Sequence, residues 1–291
     1  MTRSALLIVI LACVGCGGGT GGSGGSGSVA QSSCSTTLQV FSASQPAGPW
    51  TGPQNVTIAG ETAGSCPDPS PLLLANGQIL LYYTVATSTS ATPSIAVAQS
   101  SDGFSFTKRG LVYTAGSDGF ANVSDAFPLI LPNGTVRVFF SPFGPETYSI
   151  TSLDSTGITF PASLDAGLRS ASGGVPGALH IASSYYLYVN SNGATCCTTQ
   201  YLTSPDGLTF TAAGNLSLAD SDAFSPLATS GGQYLSVYQC AGSGPTGAVT
   251  CLASSNDGIH WTQVSQVGPG SVPALVITST GQLLVYSVHA T

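Results

Sequence analysis

The sequence predicts an all-β protein, a five-bladed β-propeller of four-stranded blades whose last blade is closed by N-terminal strands, and three observations predict it. A turn followed by an aromatic residue recurs at near-equal spacing. A second signature opens a short apolar strand once in each unit. The composition also leaves little material for helices: the 291 residues include 37 Gly, 18 Pro and a single Met, and only 6% are charged. Gly and Pro in that abundance imply many tight turns, and scarce Lys, Glu and Met leave few strong helix formers.

The elements follow in chain order. Arg3 precedes an apolar run over residues 5–15, too short to span a bilayer and of the length of a signal-peptide core, so residues 1–16 are expected to be a signal peptide. Ile10-Leu11-Ala12-Cys13 resembles the bacterial lipobox, with Val14-Gly15-Cys16 as a second register, so lipidation falls on Cys13 or Cys16. Residues 17–33 form a Gly/Ser-rich linker that behaves as a flexible coil. Residues 34–291 hold the propeller. No later stretch is apolar enough to cross a membrane as a helix, so membrane association is expected only through the lipid anchor, at the bacterial cell envelope or outside.

Cys34, Cys66, Cys196, Cys197, Cys240 and Cys251 form an even set in a chain routed to an oxidising compartment, which predicts disulfides. Cys240 and Cys251 flank a loop between two strand-like runs and are expected to pair. Cys34 with Cys66 would staple the start of the domain, and Cys196 and Cys197 remain open. No spacing among the cysteines matches a zinc site.

The repeat itself appears as Ser101-Asp102-Gly103-Phe104-Ser105-Phe106, Asp154-Ser155-Thr156-Gly157-Ile158-Thr159-Phe160, Pro205-Asp206-Gly207-Leu208-Thr209-Phe210 and Asn256-Asp257-Gly258-Ile259-His260-Trp261. Phe106, Phe160, Phe210 and Trp261 lie 54, 50 and 51 residues apart, and Trp50 lies 56 before the first. Asp-Gly favours a tight turn, because glycine accepts positive φ and Asp bonds its own backbone. The second signature comprises Pro67-Asp68-Pro69-Ser70, Ser124-Asp125-Ala126-Phe127, Gly174-Val175-Pro176-Gly177, Ser221-Asp222-Ala223-Phe224 and Ser271-Val272-Pro273-Ala274. A turn such as Asn76-Gly77 or Asn133-Gly134 follows, then a Tyr- and Val-rich strand. Four strands per unit of about fifty residues are blades of a propeller. The final unit stops after two strands, while runs near residues 37–42 and 54–59 lack inner partners; pairing the two closes the ring and removes sheet edges.

The net charge is −7, with 5 Lys+Arg against 12 Asp+Glu, which excludes a basic nucleic-acid-binding face. Asp102, Asp154, Asp206 and Asp257 fall in turns, and Glu61, Asp118, Asp165 and Asp220 in crossovers. Asp68, Asp125 and Asp222 remain at starts of innermost strands and Glu146 in a loop on the same face, so these four are expected at the axial cleft. Carboxylates near one axis raise one another's pKa, a way to make an acid and a base in one pocket.

On these residues the chain resembles the five-bladed propeller glycosidases, the arabinanase, levansucrase and invertase clan (glycoside hydrolase family 43/32-like). The resemblance implies Asp68, in Asp68-Pro69, as base or nucleophile and Asp125 as the carboxylate that tunes the acid and orients the sugar. It also implies a third-blade Glu as general acid, where this chain has Gly174-Val175-Pro176-Gly177 and no carboxylate. Glu146 or Asp222 would have to substitute, or the ring is catalytically silent. The Asp-Gly turns also resemble the structural Asp box of sialidases, but Lys108, Arg109, Arg137 and Arg169 lie away from the mouth and supply no arginine triad for acidic sugars. Phe127 and Phe224 either stack on a sugar or pack between sheets. His180 fits a core position, and His260 lies beside a turn. His289 is where the clan can support a central ion; no other cofactor is implied.

Two function classes follow. One is a glycoside hydrolase acting on neutral glycans; the other is a catalytically silent glycan-binding or scaffold propeller. Either takes a glycan or small-molecule ligand, and a monomer is expected.

Overall fold

A computed structural model describes residues 36–61, 68–87, 90–116, 118–142, 144–191, 198–218, 221–241 and 247–290. The expected signal peptide and linker, with Cys13, Cys16, Cys34, Cys66, Cys196, Cys197 and Asp220, lie outside the described residues.

The strands assemble into five sheets. The first blade comprises β4 (Ser70–Leu73), β5 (Ile79–Thr87), β6 (Ser90–Ser100) and β7 (Ser105–Tyr113). The second has β8 (Ser124–Ile130), β9 (Val136–Ser141) and β10 (Tyr148–Thr151). The third has β11 (Gly173–Ile181), β12 (Ser184–Ser191), β13 (Thr199–Ser204) and β14 (Thr211–Asn215), and the fourth β15 (Asp222–Ala228), β16 (Tyr234–Ala241), β17 (Val249–Ser255) and β18 (Thr262–Pro269). In the fifth, β19 (Ser271–Ile277) and β20 (Leu283–Ala290) are completed by β1 (Thr36–Ala43) and β2 (Thr51–Asn55), with β1 and β20 paired antiparallel from Thr36↔Ala290 to Ala43↔Leu283. The first strands β4, β8, β11, β15 and β19 each touch the next, and β19 returns to β4, so the ring is closed around an axis.

Closure explains why the second strand of each blade is apolar on both faces. Successive side chains of a strand point to opposite sides, and here each side meets a neighbouring blade. Ile79, Leu81 and Tyr83 pack with Leu284 and Tyr286 of the fifth blade, whereas Leu80 and Tyr82 pack with Val136, Val138 and Phe140 of the second. These side chains are fully or almost fully buried, each worth roughly 1.5–3 kcal/mol for an aliphatic or Phe side chain.

The turns that carry Gly103, Gly157, Gly207 and Gly258 fasten one blade to the next. The Tyr286 hydroxyl donates to Gly103 O at 2.8 Å, Tyr82 to Gly157 O at 2.7 Å and Tyr188 to Gly258 O at 2.8 Å, while Arg137 Nη1 donates to Gly207 O at 2.8 Å. Each donor sits on the second strand of the preceding blade. At the remaining joint the Trp50 indole donates to Ser265 Oγ at 3.2 Å, and Ser265 donates to Pro46 O at 2.7 Å. Within the turns Asp206 Oδ1 accepts from the backbone of Leu208 and Thr209, and Asp102 and Asp257 repeat the pattern. The Thr209 and Leu208 N–H groups hold Asp206 down at about 2.

Two strand expectations are corrected. The run near residues 54–59 divides at Val56: β2 joins the fifth blade, and β3 (Thr57–Ala59) crosses to pair parallel with β7 at the outer edge of the first. The second blade has three strands in its ladder, because the chain near Phe160 meets it only through Leu153 N to Thr159 O at 2.8 Å. The crossover then covers the β10 edge, with Asp165 N donating to Ser149 O and Arg169 N to Thr147 O. The Cys240–Cys251 disulfide joins β16 to β17 with Cα atoms 5.7 Å apart.

Candidate functional site: the axial depression

The strand ladders fix which residues are equivalent around the axis. Phe127 pairs with Phe139, Gly177 with Tyr188, Ser225 with Val237, Ala274 with Tyr286 and Ser70 with Tyr82. Two residues before these anchors stand Asp125, Val175, Ala223, Val272 and Asp68. All five line one axial depression of about 30 Å³, well below the volume of a pocket that encloses a whole ligand.

In four blades this position lies within a register shift at the start of the inner strand and is left-handed: φ is +57° at Asp125, +50° at Val175, +48° at Ala223 and +48° at Val272. Two β-branched valines at positive φ are outliers, each costing about 1–3 kcal/mol, of the kind that persists where surroundings over-determine it.

Asp68 and Asp125 are half-buried neighbours in the polar sector of this ring. Thr84 Oγ1 donates to Asp68 Oδ2 at 3.0 Å, and Ser124 Oγ to Asp125 Oδ2 at 2.6 Å. Burial and then the Asp125 charge push the Asp68 carboxyl well above the ordinary range, with the Thr84 bond opposing. Burial also raises Asp125, against the Ser124 bond and with a further push from the Asp222 charge. The pair therefore resists full ionisation, so its oxygens can both donate and accept hydrogen bonds.

Asp222 stands differently from what its sequence motif implies. Ser124-Asp125-Ala126-Phe127 and Ser221-Asp222-Ala223-Phe224 are identical in sequence, but Asp222 pairs with Gln239 as Ser124 pairs with Ser141, one position earlier in the ladder. Ala223 therefore takes the axial position. Asp222 is buried, and its Oδ1 accepts from the Asn190 side chain and from Ala223 N at 2.8 Å. Glu146 does not line the depression; it is half-buried, and the Tyr148 hydroxyl donates to its Oε2 at 3.1 Å.

Phe127 and Phe224 border the depression, yet their rings belong to the interblade cores, with 8% and 2% of their surface exposed. Phe127 packs with Phe139, Ala178 and Leu187, and Phe224 lies edge-on to Trp261 at 4.9 Å. Neither presents an open face for sugar stacking.

The basic side chains are engaged elsewhere or exposed. Lys108 pairs with Glu61 at 2.5 Å and Arg137 with Asp165 at 3.3 Å, while Arg169 bonds carbonyls including Leu208 O and Gly167 O. Arg109 is exposed on the outer strand β7. His289 lies against Ser287, with Nε2 3.4 Å from Oγ, and 6.3 Å from the Phe41 ring. Among the described residues no three His, Cys, Asp or Glu side chains gather to hold a metal ion.

Thr84 and Ser124, the donors to the two carboxyls, were not singled out by the sequence. Ser124 precedes its acid directly in sequence, whereas Thr84 lies within β5, sixteen residues from Asp68, and only the fold brings the two together.

Fold and site together define a five-bladed propeller with a two-carboxyl axial depression. No family model matches the chain, and no curated protein matches it. Among solved structures it is similar to an N-acetylgalactosamine deacetylase from F. plautii in complex with blood group B trisaccharide, with TM-score 0.56, 15% identity, and coverage of 84% of this chain and 82% of that one. It is also similar to an α-L-arabinofuranosidase of Clostridium thermocellum, with TM-score 0.56, 15% identity and coverage of 76% and 81%. A family 117 glycoside hydrolase from the marine bacterium Zobellia galactanivorans gives TM-score 0.59, 11% identity and coverage of 88% and 91%. At these identities the likeness establishes the propeller fold.

Proposed function

We propose that this protein is a glycan-binding propeller of the cell envelope, directed at neutral sugars, that does not hydrolyse glycosidic bonds. One observation carries the reading: of the five equivalent axial positions, only those of the first two blades hold carboxyls, and the third-blade position is Val175. The two acids weighed as substitutes do not line the depression, since Asp222 faces Asn190 and Glu146 is bonded by Tyr148. Proton donation to the leaving oxygen contributes ~10²- to 10⁴-fold, and glycoside hydrolysis uses a donor opposite a second carboxylate. The absence of basic side chains at the mouth, among the described residues, favours neutral over acidic glycans. Kinship in fold with the arabinofuranosidase and the family 117 glycoside hydrolase supports a carbohydrate ligand. Lipidation at Cys13 or Cys16, followed by the Gly/Ser-rich linker, would hold the ring away from a membrane surface.

A second reading rests on Asp68. A carboxyl that keeps its proton beside a second carboxyl is the acid half of a hydrolytic pair, so Asp68 as acid and Asp125 as base would be a hydrolase.

Glycan-array binding and reducing-sugar release, measured on the protein and on Asp68→Asn, separate the two. Binding to neutral glycans without release, weakened by the substitution, is expected. Release of reducing sugar that Asp68→Asn abolishes would replace the binding reading with the hydrolase.

A further inference from the structure

We propose that the axial depression selects a terminal 6-deoxyhexose, a neutral sugar carrying a methyl group where its relatives carry a hydroxymethyl, and that Val175 and Val272 make the selection. The inference rests on the glycan-binding reading and deepens it.

The lining divides into two sectors. Asp68 and Asp125 occupy the polar one, where both carboxyls can exchange hydrogen bonds with ring hydroxyls. Val175-Pro176 of the third blade, Ala223-Phe224-Ser225 of the fourth and Val272-Pro273-Ala274 of the fifth make up the other, in which Ser225 is the one polar side chain. That second sector is poor in donors for reasons that go beyond its side chains. Proline has no N–H, so the backbone at Pro176 and Pro273 has none to give, and the Val175 N–H is already spent on Ser141 Oγ at 3.1 Å. A sugar hydroxyl pressed there would lose water with little in return, whereas a methyl group would lose nothing.

Backbone strain points to the same residues. Gly or Asn would adopt φ near +50° more readily than a β-branched side chain, yet Val175 and Val272 stand at +50° and +48°. Isopropyl groups are kept at the axis where the local backbone would favour something else, as expected if their apolar surface serves a ligand. The enclosed space, about 30 Å³, takes a single small group such as a methyl, with the sugar ring above it, and leaves no room for a chain threading the site.

The test uses methyl glycosides in matched pairs that differ only at C6: L-fucose with L-galactose, L-rhamnose with L-mannose, and D-fucose with D-galactose. Affinities are measured by calorimetry, with saturation-transfer NMR to show which protons lie against the protein. At least one 6-deoxy sugar is expected to bind about tenfold or more tightly than its partner, the discrimination one apolar group gives in a fitted pocket. Its methyl protons should receive the strongest transfer. Val175→Asn, tolerated at positive φ, should bring the ratio towards one. If that variant does not fold, the ratio in the unaltered protein decides alone. Equal or weaker binding of the 6-deoxy member in every pair, with Asp68→Asn still lowering affinity for neutral glycans, would overturn this selection while leaving glycan binding in place. No binding of either member in any pair, together with an array blank for neutral glycans, would overturn both.

Discussion

Gly157→Ala should be among the most damaging single-methyl changes on the surface turns, and its cost can be worked from the geometry of the first blade joint. Gly157 has φ +66°, and a Cβ added there would lie 2.7 Å from Tyr82 Oη, 2.9 Å from Leu80 Cδ1 and 2.9 Å from Val136 Cγ2. The left-handed torsion alone costs an L-residue about 1–2 kcal/mol. Tyr82 is fully buried, so it cannot swing into solvent, and moving it breaks its 2.7 Å bond to Gly157 O. Leaving that hydroxyl unsatisfied adds about 1–3 kcal/mol, for a sum of about 2–5 kcal/mol. Gly232→Ala is the control: its φ is +78° but nothing lies within 4 Å of the added Cβ, so only the torsional part applies. Urea unfolding followed by circular dichroism should show Gly157→Ala losing at least about 1 kcal/mol more than Gly232→Ala, from the unsatisfied hydroxyl. Equal losses would refute the idea that the turn carbonyls and second-strand hydroxyls lock neighbouring blades.

Two further outcomes follow from side chains already placed. Because burial and Asp125 raise the Asp68 pKa in the folded state, the folded protein binds more protons than the unfolded chain above the ordinary carboxylate range, and stability falls as pH rises through that window. Asp68→Asn should therefore raise the urea midpoint at pH 8 and change it little at pH 3.5; a gain of the same size at both values would contradict the assignment. Replacing Cys240 and Cys251 together by Ser opens a loop of sequence separation 11 and should cost about 2–3 kcal/mol, read from the same unfolding curves with and without reductant.

Most of the ring was legible because its determinants are local. The Asp-Gly turns announce themselves by residue type, and regular spacing of Phe106, Phe160, Phe210 and Trp261 counts the blades. The unpaired runs at the N-terminus then demand a partner, which β20 supplies. What misled was identity without register. Both copies of Ser-Asp-Ala-Phe look alike, but Asp125 precedes the first paired residue of its second strand, Val136, by eleven residues and Asp222 precedes Tyr234 by twelve. The extra residue, Ser225 ahead of Pro226, turns the fourth-blade acid from the axis towards Asn190. Counting back from the hairpin would have found the shift. The division of residues 54–59 between two blades has no comparable local signal, since whether a strand continues in one sheet depends on which edge lies open beside it.

Asp68 and Asp125 stand together at the axis in surroundings that oppose full ionisation of both. Carboxyl-carbon NMR titration of the protein and its Asp125→Asn variant tests this most directly. The Asp68 resonance is expected to titrate well above the ordinary carboxylate range and to move down when Asp125 is neutralised. Ordinary titration of both carboxyls, with Asp68 indifferent to its neighbour, would contradict it.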